Sequence, residues 1–509
     1  MKALYFVLPV ALVILSAIVA FVMVKKGAAP KRAMRVHVIS ILAIIAVCCA
    51  MPFMAAADTD TNADETVATT AAAAEETASA GGIAEGLKYI GAALAVVILG
   101  NLGGEASVSA VGATATIINL IVNVFMGLSV GVTVTAAAAI GAKDADTVRD
   151  TVQTTAVLGV ICGAVAGTLG ILFSPLLLTA MHTPTETMHP AVLYIRLYFL
   201  GAPANLLYNF LAALLRAKGE TRLPLFVLIF SGAFKILMTV LFVGGLHMDV
   251  AGAATATVLS QYLSAVLMVL YLCHRKDEMH LRLRQKHLRP RRDILGESIR
   301  LGVPSGVQSA VFSLSAMVVQ SAVNSFGEAM VTGNTAAGNI DTISYSLHDA
   351  FSYTAISFVA QNHGAGKEAR VRRSVLLCLG MAALTAIVSG TAIYLFGRPL
   401  LDLYIPGREE AIAYGMIRLK YICLPYFFLA AMDVMSGALR GLGSAVAPAV
   451  ISLAGACGLR ILWIYTVFAA YRTPETMFLC FPVTWAATFF ALTIDYCILR
   501  RRMRKQKNA

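Results

Sequence analysis

Charge is what this sequence has least of. Asp, Glu, Lys and Arg make up only 13% of its 509 residues, against about a quarter in soluble domains. That scarcity excludes an ordinary water-soluble chain. Short segments of alternating polarity, the mark of a transmembrane barrel, are missing too. There is no Walker loop and no His-Glu-x-x-His pair, so no soluble-enzyme constellation is expected and ATP-driven chemistry is disfavoured. The nine cysteines (Cys48, Cys49, Cys162, Cys273, Cys378, Cys423, Cys457, Cys480 and Cys497) are scattered in or beside apolar runs. Their spacing suits no metal, and they read as small packing residues.

Apolar runs, by contrast, recur from end to end, and mean hydropathy is +0.77. Fourteen runs are long enough to cross about 30 Å of hydrocarbon. They fall at roughly 4–24, 37–56, 84–102, 108–139, 152–180, 190–215, 223–246, 250–273, 297–325, 332–361, 374–395, 411–438, 446–470 and 475–499. The expected fold class is an all-α polytopic membrane protein.

The net charge of +12 is not spread like that of a nucleic-acid binder. Lys and Arg collect in alternate loops: 141–150, 216–222, 275–292, 366–373 and the tail 500–507. This asymmetry follows the positive-inside rule and puts the 275–292 loop and the carboxy terminus in the cytoplasm of a multi-pass plasma-membrane protein. Membrane lipid is the expected contact of the basic faces, and a nucleic-acid partner is not expected.

The chain also repeats itself at an offset of about 223 residues. "GAKDADTVRDTV" (141–152) meets "GAGKEARVRRSV" (364–375), and "RAKGETRLP" (216–224) meets "RGLGSAVAP" (440–448), sharing Arg-x-x-Gly-x4-Pro. Two six-helix halves are expected, 84–273 and 297–499, joined by a basic linker, 274–296, and followed by a basic tail, 500–509. Six helices is an even number, so the halves are parallel repeats about a pseudo-two-fold axis along the membrane normal. Ahead of them stand a hydrophobic leader hairpin (1–56) and an acidic, Ala/Thr-rich linker (57–83) whose composition favours disorder.

With "GLSVGVTVTAAAAIGAKDADTVRDTV" (127–152), "LYNFLAALLRAKGETRLPL" (207–225), "VAGAATATVLSQYLSA" (250–265), "RLGVPSGVQS" (300–309), "SFVAQNHGAGK" (357–367) and "LRGLG" (439–443), the sequence over about 102–500 resembles the multidrug and toxic compound extrusion (MATE) family. The resemblance implies a monomeric two-lobe antiporter without cofactors, exporting small amphipathic or cationic compounds against proton or sodium influx. The chain departs from the family where an Asp in the first helix and an Asn-x-x-x-Asp pattern in the fifth are usual. The first-helix region has no intramembrane acid, and the fifth carries Lys235 and Thr239. Residues 1–100 instead resemble the amino terminus of a rotary ATPase proteolipid (subunit K or c). A flippase for lipid-linked oligosaccharides and a rotary-ATPase-associated membrane protein are the alternative functions.

The candidate coupling residues are therefore acids of the second half. "NIDTISYSLHDAF" (339–351) carries Asp341, His348 and Asp349. On a helix, Asp341 and His348 lie about 20° apart and Asp349 about 80° round. An intramembrane carboxylate is costly and functional by default, so these residues are expected to face an aqueous central cleft and exchange a proton or cation; the bland reading is a satisfied polar cluster. Asp433 is a further coupling candidate, or the ion-pair partner of Arg460. Lys235 and Arg460 are the candidate charge partners. Tyr345, Asn209, Gln308, Gln320 and Asn324 are candidates to line the substrate cavity, or else serve as helix–helix glue.

Overall fold

The computed structural model describes residues 105–180, 185–274 and 290–508. The expected leader, the acidic linker, the proteolipid-like segment and the span at 84–102 lie outside them. Among the described residues there is helix and no strand. The first lobe holds α1 (Glu105–Ala142), α2 (Ala145–Ala180), α3 (Thr185–Leu200), α4 (Ala202–Lys218), α5 (Arg222–Thr239) and α6 (Asp249–His274). The second holds α7 (Arg292–Asn324), α8 (Glu328–Gly364), α9 (Glu368–Leu395), the short α10 (Gly397–Tyr404), α11 (Glu409–Cys423), α12 (Tyr426–Gly441), α13 (Val446–Ser452), α14 (Leu459–Trp463) and α15 (Pro474–Asn508).

The duplication carries through to helix ends. α1 opens at Glu105 and α8 at Glu328; α2 opens at Ala145 and α9 at Glu368. The expected single helix at 190–215 is a bent pair, α3 and α4 meeting at 47°, and its counterpart at 411–438 is α11 and α12 at 44°. Proline is the local cause: Pro203 sits in the first turn of α4 and Pro425 caps α12, and neither can donate the backbone bond a continuous helix needs. The shared Arg-x-x-Gly is a helix stop. Gly219 (φ 90°) and Gly443 (φ 81°) are left-handed, and each lets its own and the next N–H return to the last turn, Gly219 to Arg216 and Glu220 to Leu215, Gly443 to Arg440 and Ser444 to Leu439.

Eight helices are long and apolar enough to cross a membrane, and the two bent pairs also qualify. α8, at 37 residues, is long enough but too polar to be among them. Its surroundings resolve the difficulty. α8 is packed by α9, α11, α12 and, across the lobe boundary, α1. A helix so enclosed need not satisfy lipid.

The lobes meet chiefly along α1 against α7 and α8. In membranes, small residues permit such close approach. A Cβ on Gly141 would overlap the Gln361 carbonyl oxygen, and a Cβ on Gly364 would overlap that of Ala138. Gly141 and Gly364 are repeat partners, as are Ala138 and Gln361, so the crossing is reciprocal about the pseudo-two-fold axis. The Gln361 amide also donates to the Ala217 carbonyl of α4. This crossing lies at the end of the lobes that carries the basic loops. There α2 is capped by Asp144, whose Oδ1 accepts the Thr147 N–H at 3.0 Å and whose Oδ2 accepts the Thr147 hydroxyl at 2.6 Å. These bonds hold the Asp144 carboxyl below its ordinary value of 3.8. Its contribution is thus present above 3.8 and lost as pH falls through the lower folded value. Asp144→Ala is expected to lower the thermal midpoint at neutral pH, with the deficit shrinking as pH falls below 3.8. A deficit unchanged by acid would refute the cap's role.

Candidate functional site

α8 brings Asn334, Asp341 and His348 to one stripe at intervals of seven residues, and all three are buried. Opposite them α11 supplies Arg418. Its Nη2 lies 2.8 Å and its Nε 3.2 Å from Asp341 Oδ2, and its Nη1 donates to Asn334 Oδ1 at 2.6 Å. The network continues outward. Asn334 Nδ2 donates to Gln320 Oε1 at 3.3 Å, and Gln320 Nε2 donates to Asn324 Oδ1 at 2.9 Å. A continuous polar chain therefore runs from exposed Asn324 on α7 to a buried ion pair in the second lobe. Breaking a buried pair by removing one partner costs about 3–5 kcal/mol, because the remaining charge stays uncompensated.

His348 is fully enclosed. Its ring lies 4.9 Å from that of Tyr426 and 5.5 Å from that of Tyr345. Neither ring nitrogen has a partner in hydrogen-bond geometry; the Ser344 backbone, one turn earlier, is the polar group that bears on it. Tyr426 bears on both His348 and the Asp341 carboxylate. These groups do not face a central aqueous cleft as expected. Asp341 is 5% exposed and His348 0%. An arginine within the lobe, rather than water, compensates the carboxylate. Tyr345, 41% exposed, and Asn324 are the members that reach the surface.

Asp349 belongs to a second cluster. Asp349 and Asp433 both bear electrostatically on Arg440 of α12, whose Nη2 donates to Gln308 Oε1 of α7 at 2.6 Å. Tyr353 of α8 lies beside Arg440 and also beneath Arg216 of the first lobe, whose Cζ is 5.6 Å from the ring centre. Arg216 and Arg440 are the arginines of the repeated motif. The duplication thus places one guanidinium from each lobe against the same tyrosine.

Arg460 does not pair with Asp433. It lies 4.3 Å over the Phe481 ring, and Asp433 is committed to the Arg440 neighbourhood on its own helix. Asn209, the repeat partner of Asp433, bonds back to Asn205 at 2.8 Å (backbone oxygen) and 3.0 Å (Oδ1). Lys235 stands half-buried on α5 in the first lobe, away from the Asp341 network. The residues missed from sequence are Arg418, Asn334 and Tyr426. Arg418 carried a readable signal, a cation inside an apolar run. Asn334 stood one heptad before Asp341.

The MatE family model matches residues 86–241 and 304–466, one block in each half. The probable multidrug resistance protein YpnP of Bacillus subtilis is 30% identical over 289 residues, which are 56% of this chain and 63% of that protein. The probable multidrug resistance protein NorM of Thermotoga maritima is 26% identical over 263 residues, 51% of this chain and 56% of that one. The chain therefore aligns with between about half and two thirds of the length of these relatives. Among solved structures, a multidrug resistance MATE transporter in an outward-facing conformation superposes with a TM-score of 0.77 at 19% identity, over 86% of this chain and 96% of that one. The Vibrio cholerae MATE transporter VcmN gives 0.79 at 18% identity, over 86% and 98%. With up to ten apolar spans among the described residues, in two repeated lobes, and the family model matching in both, this multi-pass membrane protein belongs to the MATE family.

Proposed function

We propose that the protein is a secondary active exporter of small amphipathic compounds, driven by proton or sodium entry and coupled in its second lobe at Asp341 and Arg418. One observation carries the reading: a buried ion pair between α8 and α11, joined to the surface by Asn334, Gln320 and Asn324. Occupation of Asp341 by a proton or sodium ion would remove the counter-charge that holds Arg418. Released from Asp341, the guanidinium would keep only its bond to Asn334, and α11 could shift against α8. Tyr426, which bears on Asp341 and packs against His348, would feel the same event. The name of the relatives and the lack of any nucleotide-binding loop favour ion-driven efflux. The basic loops favour a cytoplasmic carboxy terminus, and with that orientation the glycine crossing of α1 and α8 would be the cytoplasmic seal of an alternating-access cycle.

The test is flux in proteoliposomes. A fluorescent organic cation is followed under an imposed pH gradient and, separately, a sodium gradient. One gradient is expected to drive export, and Asp349→Asn and Asp433→Asn are expected to weaken it less than Asp341→Asn. Arg440 keeps a second acid and Gln308 when either is lost. Well-folded protein that moves nothing under both gradients would refute ion-coupled efflux of this substrate class.

A further inference from the structure

The arginines enclosed by the second lobe have carboxylates, with one exception among the described residues; Arg500, for instance, has Glu368 at 3.0 Å. Arg418 has Asp341, and Arg440 has Asp349 and Asp433 in its field. Arg460 has none among the described residues: the groups bearing on it are the thiols of Cys457 and Cys480. It is 7% exposed. Its Nε has no hydrogen-bond partner, and its Nη2 reaches only Thr484 Oγ1, at 3.5 Å. The Phe481 face contributes a cation–π contact. Burying an unpaired ion still costs several kcal/mol after relaxation.

Two further features mark the place. Ser315 of α7, beside Cys457, is 1% exposed and its hydroxyl has no hydrogen bond of ordinary geometry. Arg460 is also bracketed by two π-helical segments, Leu453–Gly458 and Ile464–Phe468. Such widened turns interrupt the regular ladder and recur at functional sites. The span is deformed on both sides of an arginine that has no carboxylate among the described residues.

We infer that Arg460, with Thr484 and Ser315, forms a carboxylate-binding site in the second lobe, and that Phe481 and Trp485 make it a site for amphipathic aromatic acids and zwitterions. A carboxylate would accept from the free Nε and one Nη in the two-point geometry that guanidinium favours. The Ser315 hydroxyl would supply a third donor. Phe481, whose ring lies 5.5 Å from that of Trp485, would pack on the apolar body of the ligand. The step from bound ligand to exported cargo rests on the efflux reading; the binding site does not.

Binding is measured on the full chain in detergent, by energy transfer from tryptophan to a dansyl probe. The chain has two tryptophans, Trp463 and Trp485, and both flank the site. Dansylglycine is expected to bind at least about tenfold more tightly than the neutral dansylglycinamide, a difference of about 1.4 kcal/mol. Arg460→Gln is expected to erase that preference and Arg460→Lys to keep part of it. Thr484→Val, which leaves the guanidinium in place, serves where Arg460→Gln does not fold, and should weaken dansylglycine alone. Equal affinity for acid and amide, a preference that survives Arg460→Gln, or no binding of either probe overturns the inference. So does displacement by chloride as effective as by acetate, which would make this a general anion site. If organic-cation flux is intact while the acid preference is absent, this inference alone fails. If acid binding depends on Arg460 while no gradient drives any flux, the efflux reading fails and the site stands.

Discussion

Asp341→Asn is expected to abolish gradient-driven efflux, and Asp341→Asn/Arg418→Gln to recover stability without recovering transport. The single variant leaves Arg418 buried with its charge uncompensated. Loss of one partner from such a pair costs about 3–5 kcal/mol, so the thermal midpoint should fall by several degrees. The double variant removes both charges. An amide pair in their place can keep hydrogen bonds from α11 to Asn334 and across to α8, at far smaller cost. Transport is another matter. An amide can neither release a proton nor exchange it for sodium, so coupling is lost in both variants. Thermal unfolding and proteoliposome flux, measured together, separate the two effects. Efflux that persists in a folded Asp341→Asn protein would remove Asp341 from the coupling step.

Substitution at the lobe crossing is expected to have the second largest effect. Gly141 and Gly364 admit each other's helices because each lacks a Cβ, and the atom that a side chain would strike is a backbone carbonyl oxygen. A side-chain neighbour could rotate away, but a helical carbonyl cannot without breaking its own hydrogen bond. Gly141→Leu and Gly364→Leu should therefore leave each lobe folded while forcing α1 and α8 apart. Overpacking of this kind costs about 1–3 kcal/mol, enough to displace a transporter that samples states separated by a few kcal/mol. Flux should drop by at least about tenfold, and a cysteine placed at Ala138 should react faster with a hydrophilic thiol reagent from the basic side. Unchanged flux together with unchanged labelling would show that the crossing is no seal.

The contrast between these two sites explains how far the sequence could be read. Span positions were legible because a helix that crosses lipid has a composition no other element shares. The lobes were legible because a duplicated motif, Arg-x-x-Gly-x4-Pro, is chemistry rather than composition. The structure gives that motif its reason: a left-handed glycine ends α4 and α12. The bends at Pro203 and Pro425 were written in the chain, yet proline alone does not say whether a helix kinks or carries on. The π-helical segments about Arg460 left no signal, since they follow from packing against neighbours and not from local preference.

Sequence by itself determined the class of protein, its helices, its duplication and the few ionisable residues that a membrane span must account for. The sequence grouped Asp349 with Asp341 and His348, and the fold put it in a separate cluster with Arg440. Only tertiary structure decided which charges meet. Asp341 and Arg418 are 77 residues apart in the chain and 2.8 Å apart in the fold. Asp433 and Arg460 share the second lobe yet do not pair. Charge in a low-dielectric interior acts strongly over a few ångströms and is selected by helix rotation and register, and rotation is set by what each helix packs against. For that reason the acids could be found along the chain, while their partners had to be found in space.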